Sequence, residues 1–267
     1  MDENRQQAVI MGHGDTHIVL DGPSLRIKKA QLADQRIPLK RINQISSFGT
    51  CKWETSALLA CSDKNIIINF CRQDGSIRAQ LQPPVKTSHN IPIQQLLEQR
   101  IKSYEAGHEF KQSLKNQCQI AINQAQQSMA KQYGIRRHID EKNLIDHIAK
   151  ENINSFSWNK LKHIMQALIK SDVSGMLWRD SIQPGQVIFE LHQIDLVGHL
   201  TTLIYCDIIP RILNQISADK QPGQKIRITA AKIIDLHHHQ QNKIQSRYNQ
   251  ALLQIHRSLL ENKHDNQ

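Results

Sequence analysis

The chain has 267 residues, 39% of them hydrophobic, and 34 Lys and Arg against 24 Asp and Glu give a formal net charge of +10. A chain of this length buries a substantial core in one or two domains. Its mean hydropathy of −0.51 fits a soluble globular protein, and no apolar run approaches the roughly 20 residues that span a bilayer.

The positive excess suits a polyanion, because each neutralised phosphate releases counterions. An aromatic content of 4% argues against a platform that stacks single-stranded bases. The opening MDENRQQ lacks the apolar stretch of a signal peptide, so the expected location is the cytoplasm, without a membrane. Cys51, Cys61, Cys71, Cys118 and Cys206 form no C-x-x-C pair, so they read as buried free thiols and not as a zinc or redox motif.

Residues 1–16, polar and then glycine-rich, read as a loose lead-in. Extended segments follow at 17–22, 24–29, 35–39 and 42–48, then a short helix capped by Thr55 or Ser56. A hairpin comes next, IIINFCR and SIRAQLQ, joined through Asp74-Gly75. Pro83-Pro84 cannot donate to a ladder and closes the sheet. The expected domain spans residues 1–84, with residues 85–91 as a polar linker and residues 92–267 as an all-α domain.

From Pro92 the apolar period changes from two to about 3.6. Ile93, Leu96, Leu97, Ile101 and Tyr104 form one stripe. After Gly107 a second runs Phe110, Leu114, Cys118, Ile122, Ala125, Met129, Tyr133 and stops at Gly134. Further helices are expected from Asp140, from near Ser157, over about 195–213, and along a C-terminal face of Ile244, Tyr248, Leu252, Ile255 and Leu259. The fold class is therefore α+β: an N-terminal β-sandwich-like domain with one short helix, followed by an all-α C-terminal domain.

The run HIVLDGPSLRIKKAQ…RIPLKRINQISSFGTCKWETSALLACSDKNIIINF…DGSIRAQLQPP resembles the N-terminal domain of the CRISPR adaptation integrase, the metal-dependent DNA nuclease that inserts new spacers. The match is one of order: glycine turn, basic hairpin, an "IP" strand start, an "I…I..FG" strand, a Thr-Ser-Ala-Leu-Leu helix, a buried strand and a D-G turn before "L.PP". Asn116-Gln117 sits where the family shows an Asn-Gln pair, and DLVGHLTTLIYCDII (195–209) resembles a family helix, with Asp195, Val197, Leu200 and Tyr205 in register. The resemblance implies dimerisation through the N-terminal domain, DNA as partner, and the family's small ferredoxin-like adaptation subunit as a further one.

The resemblance also implies a divalent metal held by a glutamate, a histidine and a following acid, the oxygen and imidazole ligands such an ion requires. LIKSDVSGMLW (168–178) lies over the glutamate helix with Ser171, Val173, Ser174 and Trp178 in matching places, and the glutamate position holds Lys170. A protonated lysine cannot ligate a cation. Asp172 lies about 200° further round a helix, on another side. If the 195–209 match is right, ILNQISADKQPGQKI takes the place of the histidine segment and contains no histidine. The other register recovers His192 and Asp207 but sets Pro210 where the second acid belongs. His192, Asp195 and Asp207 are the remaining catalytic candidates, and the triad is incomplete in either register.

His237-His238-His239 fan around a helix and read as a solvated turn or phosphate-facing patch, with Asp235 and His239 spaced to pair. Neither a phosphate-binding G-x-x-x-x-G-K-[ST] loop nor a G-x-G-x-x-G turn occurs. Lys28, Lys29, Arg36, Lys40 and Arg41 cluster on the N-terminal strands. The expected DNA-binding set is Lys111, Lys115, Lys131, Arg136 and Arg137 on and beyond the long helix, then Lys160, Lys162 and Lys170, the last giving an old active-site cleft a charge without metal. The sequence thus points to a cofactor-free pseudoenzyme that binds duplex or branched DNA as a dimer. Two alternatives stand beside it: a magnesium- or manganese-dependent endonuclease or integrase with a rearranged site, and an assembly subunit with no nucleic-acid role.

Overall fold

The computed structural model describes residues 6–30, 32–72, 76–83, 97–98, 104–134, 144–180, 182, 194–218 and 225–261. The chain divides into two compact units, Met1–Thr87 and Ser88–Gln267. The first carries a mixed sheet and the second is helical among the described residues, the α+β class.

The sheet has six strands in the order β3-β2-β1-β4-β5-β6: β1 Gln6–Asp21, β2 Ser24–Lys28, β3 Gln35–Pro38, β4 Ile42–Trp53, β5 Ile67–Cys71 and β6 Ile77–Leu81. The two long strands, β1 and β4, pair in parallel at its centre. Antiparallel hairpins flank them, β1 to β2 to β3 on one side and β5 to β6 on the other. The first strand starts at Gln6, which corrects the expected lead-in: Ile10 and Gly12 face inward, and the buried Gln7 amide donates to Ser46 Oγ at 2.9 Å across the β1–β4 pair. Glycine is required where these strands meet. Gly49 has φ +72°, and a Cβ there would stand 2.6 Å from the Gly12 carbonyl oxygen.

Helix α1, Thr55–Asp63, lays Ala57 and Cys61 on a core of Ile10, Ile18, Leu25 and Ile45. Its N-cap is Glu54, without a side-chain cap bond, not Thr55 or Ser56. The Ser56 hydroxyl instead donates to Glu54 Oε2 at 3.2 Å. The Asp74-Gly75 turn, the 85–90 linker and Ile93, Leu96 and Ile101 lie outside the described residues.

In the second unit α2 spans Tyr104–Gln132, α3 Leu144–Asn152, α4 Ser155–Arg179, α5 Leu196–Ala218 and α6 Ala230–Glu261. Helix α2 runs unbroken through Gly107, so that glycine does not separate two stripes. Glycine lowers helix stability by only about 1 kcal/mol, and Phe110, Leu114, Ala121, Ala125 and Met129 are buried along its inner face. Gly134 adopts φ +62°, the left-handed conformation that stops helices. Helix α4 begins at Ser155 because the Asn154 side chain accepts from the Phe156 amide at 3.0 Å.

Helix α5 is the centre of this unit, packed by α2 on one side and by α4 and α6 on others. By length and composition it could cross a membrane, but 67% of its apolar window is buried inside the fold, as befits a core helix. The stretch before α6 is tied to the start of α4 by a bridge between Ile153 and Ile226 and by the Ile228 amide donating to Ser157 Oγ at 3.1 Å.

Candidate functional site

Of the basic side chains expected on DNA, Arg136 and Arg137 lie outside the described residues. Lys115 and Lys131 are exposed on α2, and Lys111, Lys160 and Lys170 are half-buried. Positions 111 and 115 share a helix face, whereas 131 lies roughly 200° round from 111. The three lysines of α2 are therefore not all on one face of that helix. Lys162 is committed elsewhere: it holds Asp146 at 3.1 Å and lies 5.7 Å from the centroid of the Trp158 ring. Trp158, buried, donates its indole N–H to the same carboxylate at 3.0 Å.

The divalent cation implied by the resemblance finds no fit among the described residues, where no three His, Cys, Asp or Glu side chains converge. The resemblance sets Lys170, half-buried on α4, at the glutamate position. Asp195 is used at the start of α5, where its Oδ1 accepts from the Gly198 amide at 2.8 Å. His192 lies outside the described residues.

Asp172, beside Lys170 in sequence, turns into the core. It accepts from Nε2 of His237 at 2.8 Å and from the Gln241 amide at 3.1 Å, with the His237 and Asp172 side chains 0% and 8% exposed. His237 is thus neither solvated nor phosphate-facing, which corrects the reading of the histidine run. The apolar spacing of Ile233, Ile244 and Tyr248 puts position 237 on the inner face of α6, and that was the available signal. Only His239 behaves as its spacing indicates, exposed and 3.6 Å from Asp235. With both polar atoms sealed from solvent, the Asp172–His237 pair joins α4 to α6 and offers nothing to a substrate.

An open site lies on the other side of α5. A cavity of about 420 Å³ is walled by Gln124, Ser128 and Gln132 of α2, by Asp207, Arg211 and Asn214 of α5, and by Arg247 of α6. Its floor is apolar, including Ala121, Ala125, Leu203 and Pro210. Asn214 donates to Gln132 Oε1 at 2.7 Å, closing one end. Asp207 Oδ1 stands 4.0 Å from Arg211, while Asp207 Oδ2 and Arg247 Nε are buried without any hydrogen-bond partner. Burial pushes the neighbouring Cys206 thiol up to about 11, with Cys118 adding to the rise and the Arg247 guanidinium opposing it. Asp207, a sequence candidate, is therefore in a cavity, but Arg247 and the α2 wall were missed. They come from segments 80 or more residues apart from one another, and no local pattern announces them.

The six-stranded sheet followed by a helical unit matches solved structures over most of the chain. "Structure of TM1797, a CAS1 protein from Thermotoga maritima" superposes with a TM-score of 0.67 at 10% identity, covering 94% of this chain and 97% of that one. A casposase bound to integration product gives 0.57 at 13% identity over 92% and 82%. A Cas6-RT-Cas1–Cas2 complex gives 0.53 at 14% identity, over 94% of this chain and 35% of that one. No curated protein matches the chain in sequence. The family profile described as CRISPR associated protein Cas1 matches residues 9–169, more than half of the chain and all of the sheet but the first three residues of β1, and the protein belongs to that family.

Proposed function

We propose that this chain is a DNA-binding member of the CRISPR adaptation integrase family that holds duplex or branched DNA through phosphate contacts and does not cleave it. The observation that carries the reading is Lys170: just beyond the matched residues, the sequence resemblance sets an ammonium group where the family's metal-binding glutamate belongs. That substitution replaces a ligand for a cation with a partner for a phosphate. Asp172, two residues from Lys170, and the candidate Asp195 are spent on His237 and on the α5 terminus. Among proteins of like fold, the casposase is seen with an integration product and a further structure is a complex containing Cas2. Those likenesses support DNA as the ligand and an adaptation subunit as a partner. The family resemblance further supports a dimer formed through the N-terminal unit.

Phosphate binding of this kind is recognised by its salt dependence. Affinity falls with salt at a slope of about 0.9 per phosphate neutralised. Lys115→Glu or Lys131→Glu should weaken binding for every DNA sequence alike and lower that slope by about 1. The deciding experiment incubates the protein with labelled duplex and branched DNA in magnesium, manganese or EDTA, and scores mobility shift and cleavage together. A salt-sensitive shift without cleavage is expected. Metal-dependent nicking abolished by His192→Ala or Asp207→Ala would overturn the non-cleaving reading and establish a rearranged active site. Absence of any salt-sensitive shift would leave an assembly subunit.

A further inference from the structure

We propose that the cavity between α2, α5 and Arg247 takes a single unpaired guanine base, recognised by its edges. The inference deepens the DNA-binding reading and takes its ligand class from it. At about 420 Å³ the cavity falls within the range of about 300–1,000 Å³ that small-molecule sites occupy. It exists because α2 presents short side chains there, Ala121, Ala125 and Ser128, which keep the two helices apart. Leu203 and Pro210 supply apolar surface against which a flat ring can lie. Pro210 also has no amide hydrogen, so the Cys206 carbonyl loses its usual helical donor.

The polar groups decide the ligand. Asp207 Oδ2 and Arg247 Nε have hydrogen-bonding capacity that the protein leaves unused, and Arg211 stands only at 4.0 Å from Asp207 Oδ1. A carboxyl torsion is broad and roughly two-fold, so either Asp207 oxygen can be turned toward the cavity. An inorganic anion would suit the guanidinium groups but would face the carboxylate. A cation would suit the carboxylate but would face two guanidinium groups. A ligand presenting N–H donors beside acceptor atoms satisfies both. Guanine does so best: its O6 and N7 accept from arginine, the commonest specific protein–base contact, while its adjacent N1–H and N2–H groups match the two oxygens of a carboxylate. Cytosine offers one donor group only, and adenine and thymine do not place two donors side by side. Among the described residues no aromatic ring lines the cavity, so recognition rests on these edges and base preference is the property to measure.

The test is calorimetric titration of the full chain with dGMP, dAMP, dCMP, dTMP and inorganic phosphate. The expected result is dGMP binding at least tenfold tighter than the other nucleotides, with phosphate unable to displace it. Asp207→Asn, which keeps the shape, should lose the preference and weaken dGMP binding about tenfold. Ser128→Phe, which keeps the charges, should fill the cavity and abolish binding. Melting curves accompany both variants, so that one folded variant suffices. Equal binding of all four nucleotides, displacement by phosphate, no binding at about 10 mM, or unchanged binding in a folded Ser128→Phe protein would each overturn the proposal. The duplex-shift assay on the same preparation separates the two readings. A protein that shifts duplex but ignores dGMP sinks the guanine site alone, and one that binds dGMP without shifting duplex sinks the DNA-binding reading alone.

Discussion

Two polar sites flank the central helix region of the second unit, and they differ in how completely their hydrogen bonds are spent. Between α4 and α6, Asp172 has His237 and Gln241 within 2.8 and 3.1 Å, and the pair is sealed. Between α2 and α5, a buried carboxylate oxygen of Asp207 and a buried guanidinium nitrogen of Arg247 have no partner among the described residues, and both residues line a cavity. A satisfied buried pair specifies packing, whereas unspent polar groups beside open volume cost stability and are retained where they bind something. Asp172 is thus structural, and the unspent hydrogen-bonding capacity lies elsewhere on the unit.

The sharpest way to break this contrast is to remove one member of the sealed pair. His237→Ala leaves the Asp172 carboxylate buried without its main partner, and truncating one side of such a pair costs about 3–5 kcal/mol. Urea unfolding of the second unit should show that loss, and Asp172→Asn, which retains an acceptor for His237 or Gln241, should lose less. A loss under about 1 kcal/mol for His237→Ala would mean that the pair does not hold α4 to α6. Asp146 gives the next largest effect. Its replacement by Ala strips the acceptor from the buried Trp158 indole, at a cost of about 1–3 kcal/mol. Lys162→Met removes only a part-exposed ion pair and should stay within about 1 kcal/mol.

Thiol reactivity compares the cavity with the sealed core of the sheet. Burial pushes Cys61 and Cys71 up to about 12, while Cys206 beside Arg247 is held to about 11. One pKa unit is about a tenfold difference in thiolate fraction, so iodoacetamide at alkaline pH should label Cys206 ahead of the other two, read by mass spectrometry. Because the folded values are raised above the ordinary thiol value of 9.0, these thiols ionise first in the unfolded chain. Their contribution to stability is intact below pH 9 and is lost progressively as the pH rises toward 12. Labelling of Cys61 first would show that the sheet opens more readily than the cavity wall.

The order of elements was legible in the sequence because it is local. Extended segments marked β2 and β4, the apolar hairpin arm IIINFCR marked β5, and the 3.6-residue stripe of Phe110, Leu114, Ala125 and Met129 marked α2. What escaped was set by distant partners. Residues 6–16 hold a short apolar run, Ala8-Val9-Ile10-Met11, but the polar start and the glycine-rich end around it hide the strand until Gly12 is laid against Gly49. Lys170 could be placed from the family pattern alone. Asp172 and His237 could not be paired, being 65 residues apart, although each occupies a position on an otherwise apolar face. The cavity was the least legible, since it arises from what α2 lacks, bulk at positions 121, 125 and 128, and an absence of volume carries no motif.

The smallest effect bears most directly on the contrast. Replacing Asp207 by Leu removes a carboxylate with an oxygen buried and unpaired, puts an apolar side chain beside Leu203 and Pro210, and releases Arg211, which is 52% exposed and held only at 4.0 Å. Losing so long and exposed an ion pair costs little, while removing an unsatisfied buried acceptor is favourable. The melting transition should therefore hold or rise, by at most about 1 kcal/mol, in the same protein that His237→Ala destabilises. A stable Asp207→Leu variant without dGMP affinity would show a side chain kept for binding at the expense of stability. A loss above about 2 kcal/mol would show instead that Asp207 is as structural as Asp172, and the difference between the two sites would disappear.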